Sequence, residues 1–350
     1  MTRQNVLRES LPDAQRRSLR RAVRIEWATV AFLAVTIPVV GLVTGSSQAM
    51  RAAWIEDMLS LAPPLAFLLA VRVMSRPGTK DHPYGWFRSV GVAHLVSGVA
   101  LFVMGAFLLV DSALTLIRGE RPPIGSVELF GGTVWLGWLM MSAMALTIPL
   151  PIYFGRVKMR LARDLHNKVL YADADMNKAD WMTAVGSIVG VAGIGIGLWW
   201  ADAAAAIFIS GSILWDGVKN TRGSIADLMD VRASTFDDGR PHPDIDKIHD
   251  HLESLRWVDQ VRTRTRDQGQ FFHVEVFVTL RGRMPKLADL ETAQEECRAL
   301  DWKLHDVVIV PVAVFPGAAQ GRSTDARTGL GFGSTVTGSS SRRNSSFVSD

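Results

Sequence analysis

The sequence predicts a polytopic α-helical membrane protein: six transmembrane helices followed by a small C-terminal α+β cytoplasmic domain. Three observations carry that reading. Hydrophobic residues make up 48% of the 350 and charged residues only 21%, with a mean hydropathy of +0.16. Six apolar segments can be marked off, at about 25–45, 48–74, 90–117, 131–154, 172–200 and 202–218. From about residue 231 the apolar period changes to that of short helices and strands. Composition also excludes classes. There is too much apolar surface for a chain disordered throughout. The only cysteine is Cys297, so no internal disulfide can form.

The first 24 residues are polar and hold seven Arg against Glu9 and Asp13. They lack the apolar stretch and small-residue cleavage site of a signal peptide. The six segments are each roughly 17–28 residues, enough to cross ~30 Å of hydrocarbon at 1.5 Å per residue. The fifth and sixth are separated only by Trp199-Trp200-Ala201-Asp202, which predicts a tight hairpin with aromatic residues at the interface. Basic residues set the orientation. Arg72, Arg76, Lys80 and Arg88 follow segment two, and Arg156, Lys158, Arg160, Arg163 and Lys168 follow segment four. The opposite side has Arg51, Arg118 and Arg121. Both termini are therefore expected in the cytoplasm, with an even number of crossings of the cell membrane.

Beyond the segments, "HPDIDKIHDHLESL" has helical spacing through Ile245, Ile248, Leu252 and Leu255. "VDQVRTRTRDQGQFFHVEVFVTL" reads as two strands turning at Asp267-Gln268-Gly269, with alternation in Phe272, Val274, Val276 and Val278. "LADLETAQEECRALDWKL" reads as a helix and "DVVIVPVAVF" as a third strand. This α-β-β-α-β order suits a small sheet with helices on one face. The expected organisation is a basic N-terminal segment (1–24), a membrane domain (25–220), a C-terminal domain (221–316) and a disordered tail (317–350).

Ionisable groups at membrane depth are expensive and mark function. Segment two carries Glu56, Asp57 and Ser60, and segment five opens with Asp173, Asp175, Asn177 and Asp180. On a helix, Ser60 lies one turn from both Glu56 and Asp57. Asp173, Asn177 and Asp180 share a face, and Met176 sits one turn before Asp180. Ser60 is twelve residues from Arg72, and Asp180 is twelve from Lys168. Both therefore sit ~18 Å from the inner surface and can meet at one level. Oxygen donors from two helices make a site for a divalent cation, and the same carboxylates bind protons when the metal leaves. Pro63 and Pro64 cannot donate to the carbonyls of Leu59 and Ser60, which frees two backbone oxygens beside this cluster. Lys178 is a candidate partner for Asp175. Gly186, Gly190, Gly193 and Gly197 predict close helix packing by segment five. His94 and Asp111 are read as structural, and His242, His249 and His251 as a solvated helix start. There is no Walker loop and no phosphate-cradling glycine run after a strand, so no nucleotide drives the protein and no enzymatic chemistry is expected. The basic N-terminus reads as a topology signal and a contact with the lipid bilayer, not a nucleic-acid arm.

Residues 24–315 resemble the cation diffusion facilitator family. The likeness rests on "YADADMNKADWMTAVGSIVG", on "WWADAAAAIFISGSILWDGVKNTRGSIADLMD" and on "FLLAVRVMSRPGTKDHPYGWFRSV". It implies a homodimer of six-helix protomers, each with a ferredoxin-like cytoplasmic domain. It also implies export of a divalent metal in exchange for protons, with no permanently bound cofactor. Carried over by position, the family's transport site falls on Glu56 and Ser60, and on Met176 and Asp180. Two of its usual ligand types are replaced, by Ser60 and Met176, and Asp57, Asp173 and Asn177 are candidate compensating ligands. In the loop after helix two only Asp81 and His82 remain of the usual ligands. In the C-terminal domain His273 and Glu275 stand on strand two, but "VVIVPVAVF" supplies none on strand three, so dimerisation without a well-formed metal centre is expected there. Zinc is the family's commonest cargo, whereas a site without His favours harder ions such as Mn²⁺ or Fe²⁺. Two other readings stay open: a non-transporting membrane scaffold, and a carrier of a different cationic solute.

Overall fold

The computed structural model describes residues 11–43, 54, 57–119, 125–129 and 132–316. Helix α1 spans Asp13–Val43, α2 Ala62–Met74 and α3 Ser89–Ile117. A hairpin of β1 (Ser126–Leu129) and β2 (Gly132–Trp135) leads into α4 (Leu136–Thr147) and α5 (Pro149–Leu165). Then come α6 (Lys168–Gly195) and α7 (Ala201–Leu228).

Among the described residues, four helical stretches are long and apolar enough to cross a membrane: Asp13–Val39, Asp57–Met74, Ser89–Ile117 and Leu136–Leu165. The fifth and sixth apolar segments fold as α6 and α7, 28 residues each. In α6 the shortfall is one of composition and not of length, because it carries Lys168, Asp173, Asp175, Lys178 and Asp180 within its first thirteen residues. Several boundaries differ from expectation. The basic N-terminal stretch is already helical from Asp13. The fourth segment starts later, after the hairpin, and runs eleven residues further, to Leu165. The sixth runs ten residues past its expected end, to Leu228. Residues 48–53, 55 and 56 of the second segment and the expected tail, 317–350, lie outside the described residues.

Pro63 and Pro64 are buried in the first turn of α2, where a missing N–H costs no helical hydrogen bond. The chain turns at Ser60 and Leu61, so the proline pair starts a helix instead of kinking one.

Glycines also pack closely outside α6. A Cβ on Gly105 of α3 would lie 2.5 Å from Leu214 N, and one on Gly217 of α7 would lie 2.5 Å from the Phe102 backbone. Backbone therefore meets backbone between α3 and α7. In α6, Gly186 and Gly193 face the side chains of Ile209 and Ala201, and Gly197 forms the αL turn to α7 with φ +92°.

The C-terminal domain continues with α8 (Asp244–Glu253), β3 (Val258–Asp267), β4 (Phe272–Leu280), α9 (Leu287–Leu300) and β5 (Asp306–Pro311). The sheet order is β3-β4-β5, antiparallel for the first pair and parallel for the second. Phe272, Val274, Val276 and Val278 are all buried, packed with Ile245, Ile248 and Leu252 of α8 and Ala293 and Cys297 of α9. Burial, helped by Glu296, pushes the Cys297 thiol up to about 12, as suits a core residue and not a reactive one. The β3–β4 turn has Gly269 at φ +95°, its N–H bonded to Asp267 Oδ1 at 2.7 Å. A Cβ there would lie 2.7 Å from Phe87 O, so the turn presses against the start of α3.

Candidate metal-transport site

Ser60 lies at the break before α2, and Asp180 lies midway along α6. The Ser60 hydroxyl donates to Asp180 Oδ1 at 2.7 Å. Ser60 is 2% exposed and Asp180 half-buried. Asp57, one turn before Ser60, lines the same cavity of ≈ 50 Å³ as Asp180. Thr36 of α1, Thr147 of α4, and Thr183 and Ser187 of α6 complete its polar lining. Thr147 and Thr183 bond back to carbonyls of their own helices at 2.8 and 3.0 Å, which turns their hydroxyl lone pairs outward. These hydroxyls were missed from sequence, where single Thr and Ser residues in apolar runs give no signal. The site is thus a small cavity of oxygen donors with two carboxylates, in an apolar surround of Phe32, Leu33, Met144 and Pro151. Such donors favour a hard cation.

The other sequence candidates fall elsewhere. Glu56 lies outside the described residues. Met176 is 1% exposed and packs among Leu101, Met104, Ala179 and Ile213, with Leu59 and Ala62 of the second segment alongside. Asp173 and Asn177 do share a face with Asp180, but Asp173 is seven residues away, about 10 Å along the helix. There Asp173 Oδ2 meets Lys158 Nζ of α5 at 2.8 Å, and Lys158 also meets Glu26 Oε2 of α1 at 3.1 Å. All three side chains are at most 1% exposed. The Asn177 amide donates to Asp173 Oδ1 at 3.1 Å and to its carbonyl at 2.8 Å. This triad joins three helices. From sequence, Lys158 had counted only as a topology marker, and Glu26 sat unnoticed at the head of segment one.

Lys178 does not pair with Asp175. It reaches Asp216 of α7 at 2.8 Å, while Asp175 accepts from Asn220 Nδ2 at 3.0 Å. Both partners come from α7, packed along α6, and helical spacing within α6 could not reveal them.

At the end of the bundle nearer the C-terminal domain, Lys168 Nζ lies 2.6 Å from both Asp227 and Asp238 and 3.5 Å from Asp267. Burial raises the Asp267 carboxyl, but the Lys168 ammonium and His166 beside it outweigh that and hold it below the usual carboxylate range. Arg88 at the head of α3 and Arg266 on β3 both pair with Asp230.

His242 is not solvated. It is 8% exposed, edge-on to Phe272 with ring centroids 4.8 Å apart. His249 lies beside Asp250 and Glu253, and His251 Nε2 is 3.1 Å from Glu296. Strand three does supply a carboxylate, at its first residue. Asp306 Oδ2 is 2.6 Å from His273 Nδ1, whose Nε2 is 3.3 Å from Glu275. In the loop after α2, His82 stacks on Trp86 at 3.7 Å.

Carboxylates facing a cavity inside an apolar helical bundle are the arrangement expected of a membrane carrier of cations. The chain belongs to the cation efflux family: the model of the cation efflux transmembrane domain matches residues 25–229. It is similar to the manganese efflux system protein MneS of Bacillus subtilis (strain 168), at 25% identity over 66% of this chain and 73% of that protein. MneP, a second manganese efflux system protein of that organism, is 21% identical over 85% of this chain and 98% of its own length. An uncharacterized transporter, YdbO, is 26% identical over 81% and 92%. The protein is accordingly a membrane transporter that exports metal cations, and not an enzyme.

Proposed function

We propose that the protein exports a hard divalent cation, Mn²⁺ foremost, in exchange for protons. The observation that carries this is the Ser60–Asp180 hydrogen bond beside Asp57 in one oxygen-lined cavity. Oxygen donors without imidazole favour Mn²⁺ or Fe²⁺ over Zn²⁺. The names of two relatives, manganese efflux proteins, support the same ion. Asp57 and Asp180 are the principal ligands, Ser60 is a neutral oxygen that tunes selectivity, and Glu56 is a further candidate. Asp173 and Asn177 serve the buried triad. Met176 provides apolar packing one turn from the ligand.

Proton exchange follows from the ligand chemistry. A carboxylate releases its proton to take the metal and regains one when the metal leaves. In this reading all six helical segments cross the plasma membrane, both termini are cytoplasmic, and the ferredoxin-like C-terminal domain joins two protomers. The interleaved helix–strand order and the basic residues after segments two and four support that topology.

The test is a panel of divalent ions supplied to proteoliposomes under an imposed pH gradient. Mn²⁺ entry that depends on the gradient and disappears in Asp180→Ala is expected. Parent-rate transport by Asp180→Ala, or a panel in which no divalent ion moves, would overturn the reading.

A further inference from the structure

The Lys168 cluster holds more negative charge than its visible cations balance. Asp227 on α7, Asp238 in the loop after it, and Asp267 at the end of β3 all face the one ammonium. Lys168 also donates to Ser234 at 3.0 Å. Side-chain exposures are 4% for Lys168, 9% for Asp227, 20% for Asp238 and 3% for Asp267, so solvent screens the cluster poorly. The nearby guanidinium groups are engaged elsewhere, since Arg88 and Arg266 pair with Asp230. His166 lies 3.4 Å from Asp267, but burial holds its imidazole below the usual pKa, so it is neutral near pH 7. Three carboxylates face this one ammonium, and Arg88 and Arg266, which share the single carboxylate of Asp230, leave one further positive charge beside them, so the acids outnumber the cations by one.

Unpaired atoms mark the same place. Among the described residues Asp227 Oδ1 accepts no hydrogen bond, and His94 Nδ1 has no partner although His94 is 1% exposed. His94 Nε2 is occupied by Asn220 Oδ1 at 3.4 Å. Ligand atoms of His94, Asp227 and Asp238 lie within 4.8 Å of one another. A cavity of ≈ 20 Å³, lined in part by His94, Arg88, Lys168, Asp227 and Asp267, lies against two of them. A single water-sized particle needs roughly 10–15 Å³.

We propose that this His94–Asp227–Asp238 cluster, beside the cavity, is a second divalent-cation site, with the Lys168 ammonium as its built-in competitor. A dication would take Asp227 and Asp238 while Lys168 keeps Asp267 and Ser234. One imidazole and two carboxylates suit a first-row divalent ion such as Mn²⁺, Fe²⁺ or Zn²⁺. The ligands come from α3, α7 and the loop that leads into the C-terminal domain. Occupancy would therefore fix that loop against the α3–α7 pair and make the link between helices and domain responsive to metal concentration. The site shares no residue with the cavity of Asp57 and Asp180, and it stands whether or not that cavity transports.

The test uses the purified full-length protein with Mn²⁺ as probe and electron paramagnetic resonance as readout. An Asp180→Ala background removes binding in the other cavity. Bound Mn²⁺ that shows coupling to an imidazole nitrogen is expected in this background, and His94→Gln should abolish the coupling. Asp227→Asn with Asp238→Asn should weaken this binding by about tenfold or more. Lys168→Met should tighten it by a similar factor, an outcome that a merely structural role would not give. Absence of nitrogen-coupled Mn²⁺ in the background protein would overturn the proposal. So would a coupling that survives His94→Gln and is lost in His273→Gln.

Discussion

Replacing Lys158 by Met tests whether the buried triad holds the bundle together. Its ammonium lies 2.8 Å from Asp173 and 3.1 Å from Glu26, with all three side chains at most 1% exposed. Met keeps most of the side-chain volume and removes the charge. Two carboxylates are then left facing each other, with the Asn177 amide the remaining hydrogen-bond donor to Asp173 among the described residues. Breaking a buried pair from one side costs about 3–5 kcal/mol, whereas removing both signs of charge together is often neutral. Lys158→Met should therefore lose about that much stability in a denaturant titration of the detergent-purified protein, followed by tryptophan fluorescence. The triple variant with Glu26→Gln and Asp173→Asn should recover most of the loss. A single variant within about 1 kcal/mol of the parent would refute the reasoning, as would a triple variant no more stable than the single.

Three further outcomes are expected. Ser60→Ala removes a hydroxyl that donates to the Asp180 carboxylate, an interaction worth about 1.5–3 kcal/mol, so the metal-free protein should lose up to about that much stability while the half-saturating Mn²⁺ concentration also shifts. Gly105→Leu should destabilise by roughly 1–3 kcal/mol, because its Cβ would meet the Leu214 backbone at 2.5 Å, whereas Gly211→Leu, which has open space, should cost far less. Asp244 is buried, yet hydrogen bonds from His242 and Lys247 and the charge of Lys303 hold its carboxyl below the ordinary range. Its stabilisation is present above the unfolded value of about 4 and lost as pH falls through the folded one, so the deficit of Asp244→Asn, read by hydrogen exchange in α8, should be largest near neutrality and shrink in acid.

Much of the architecture is legible because membranes and sheets impose simple periods. The alternation Phe272, Val274, Val276, Val278 puts one face of β4 inward, and Gly269 marks its turn. Counting twelve residues from Arg72 and from Lys168 places Ser60 and Asp180 at one depth, and the structure joins them at 2.7 Å. What sequence could not supply is the choice of neighbour. A shared helical face does not separate Asp173 from Asp180, but the neighbouring helices do. Lys158 meets the first of these acids and Ser60 the second. Basic residues counted as topology markers turn out to have buried partners, as Lys158 and Lys168 show. A residue's effect depends on whether its place is a helix start or a helix interface, and local composition does not say which.

The most direct test follows Mn²⁺ entry and proton movement together in the same proteoliposomes, for the parent, Asp57→Asn and Asp180→Asn. Coupled fluxes in the parent that fall together in both variants are expected. Mn²⁺ entry at the parent rate through Asp180→Asn, or metal entry in the parent without proton movement, would contradict a carboxylate cavity that exchanges one cation for the other.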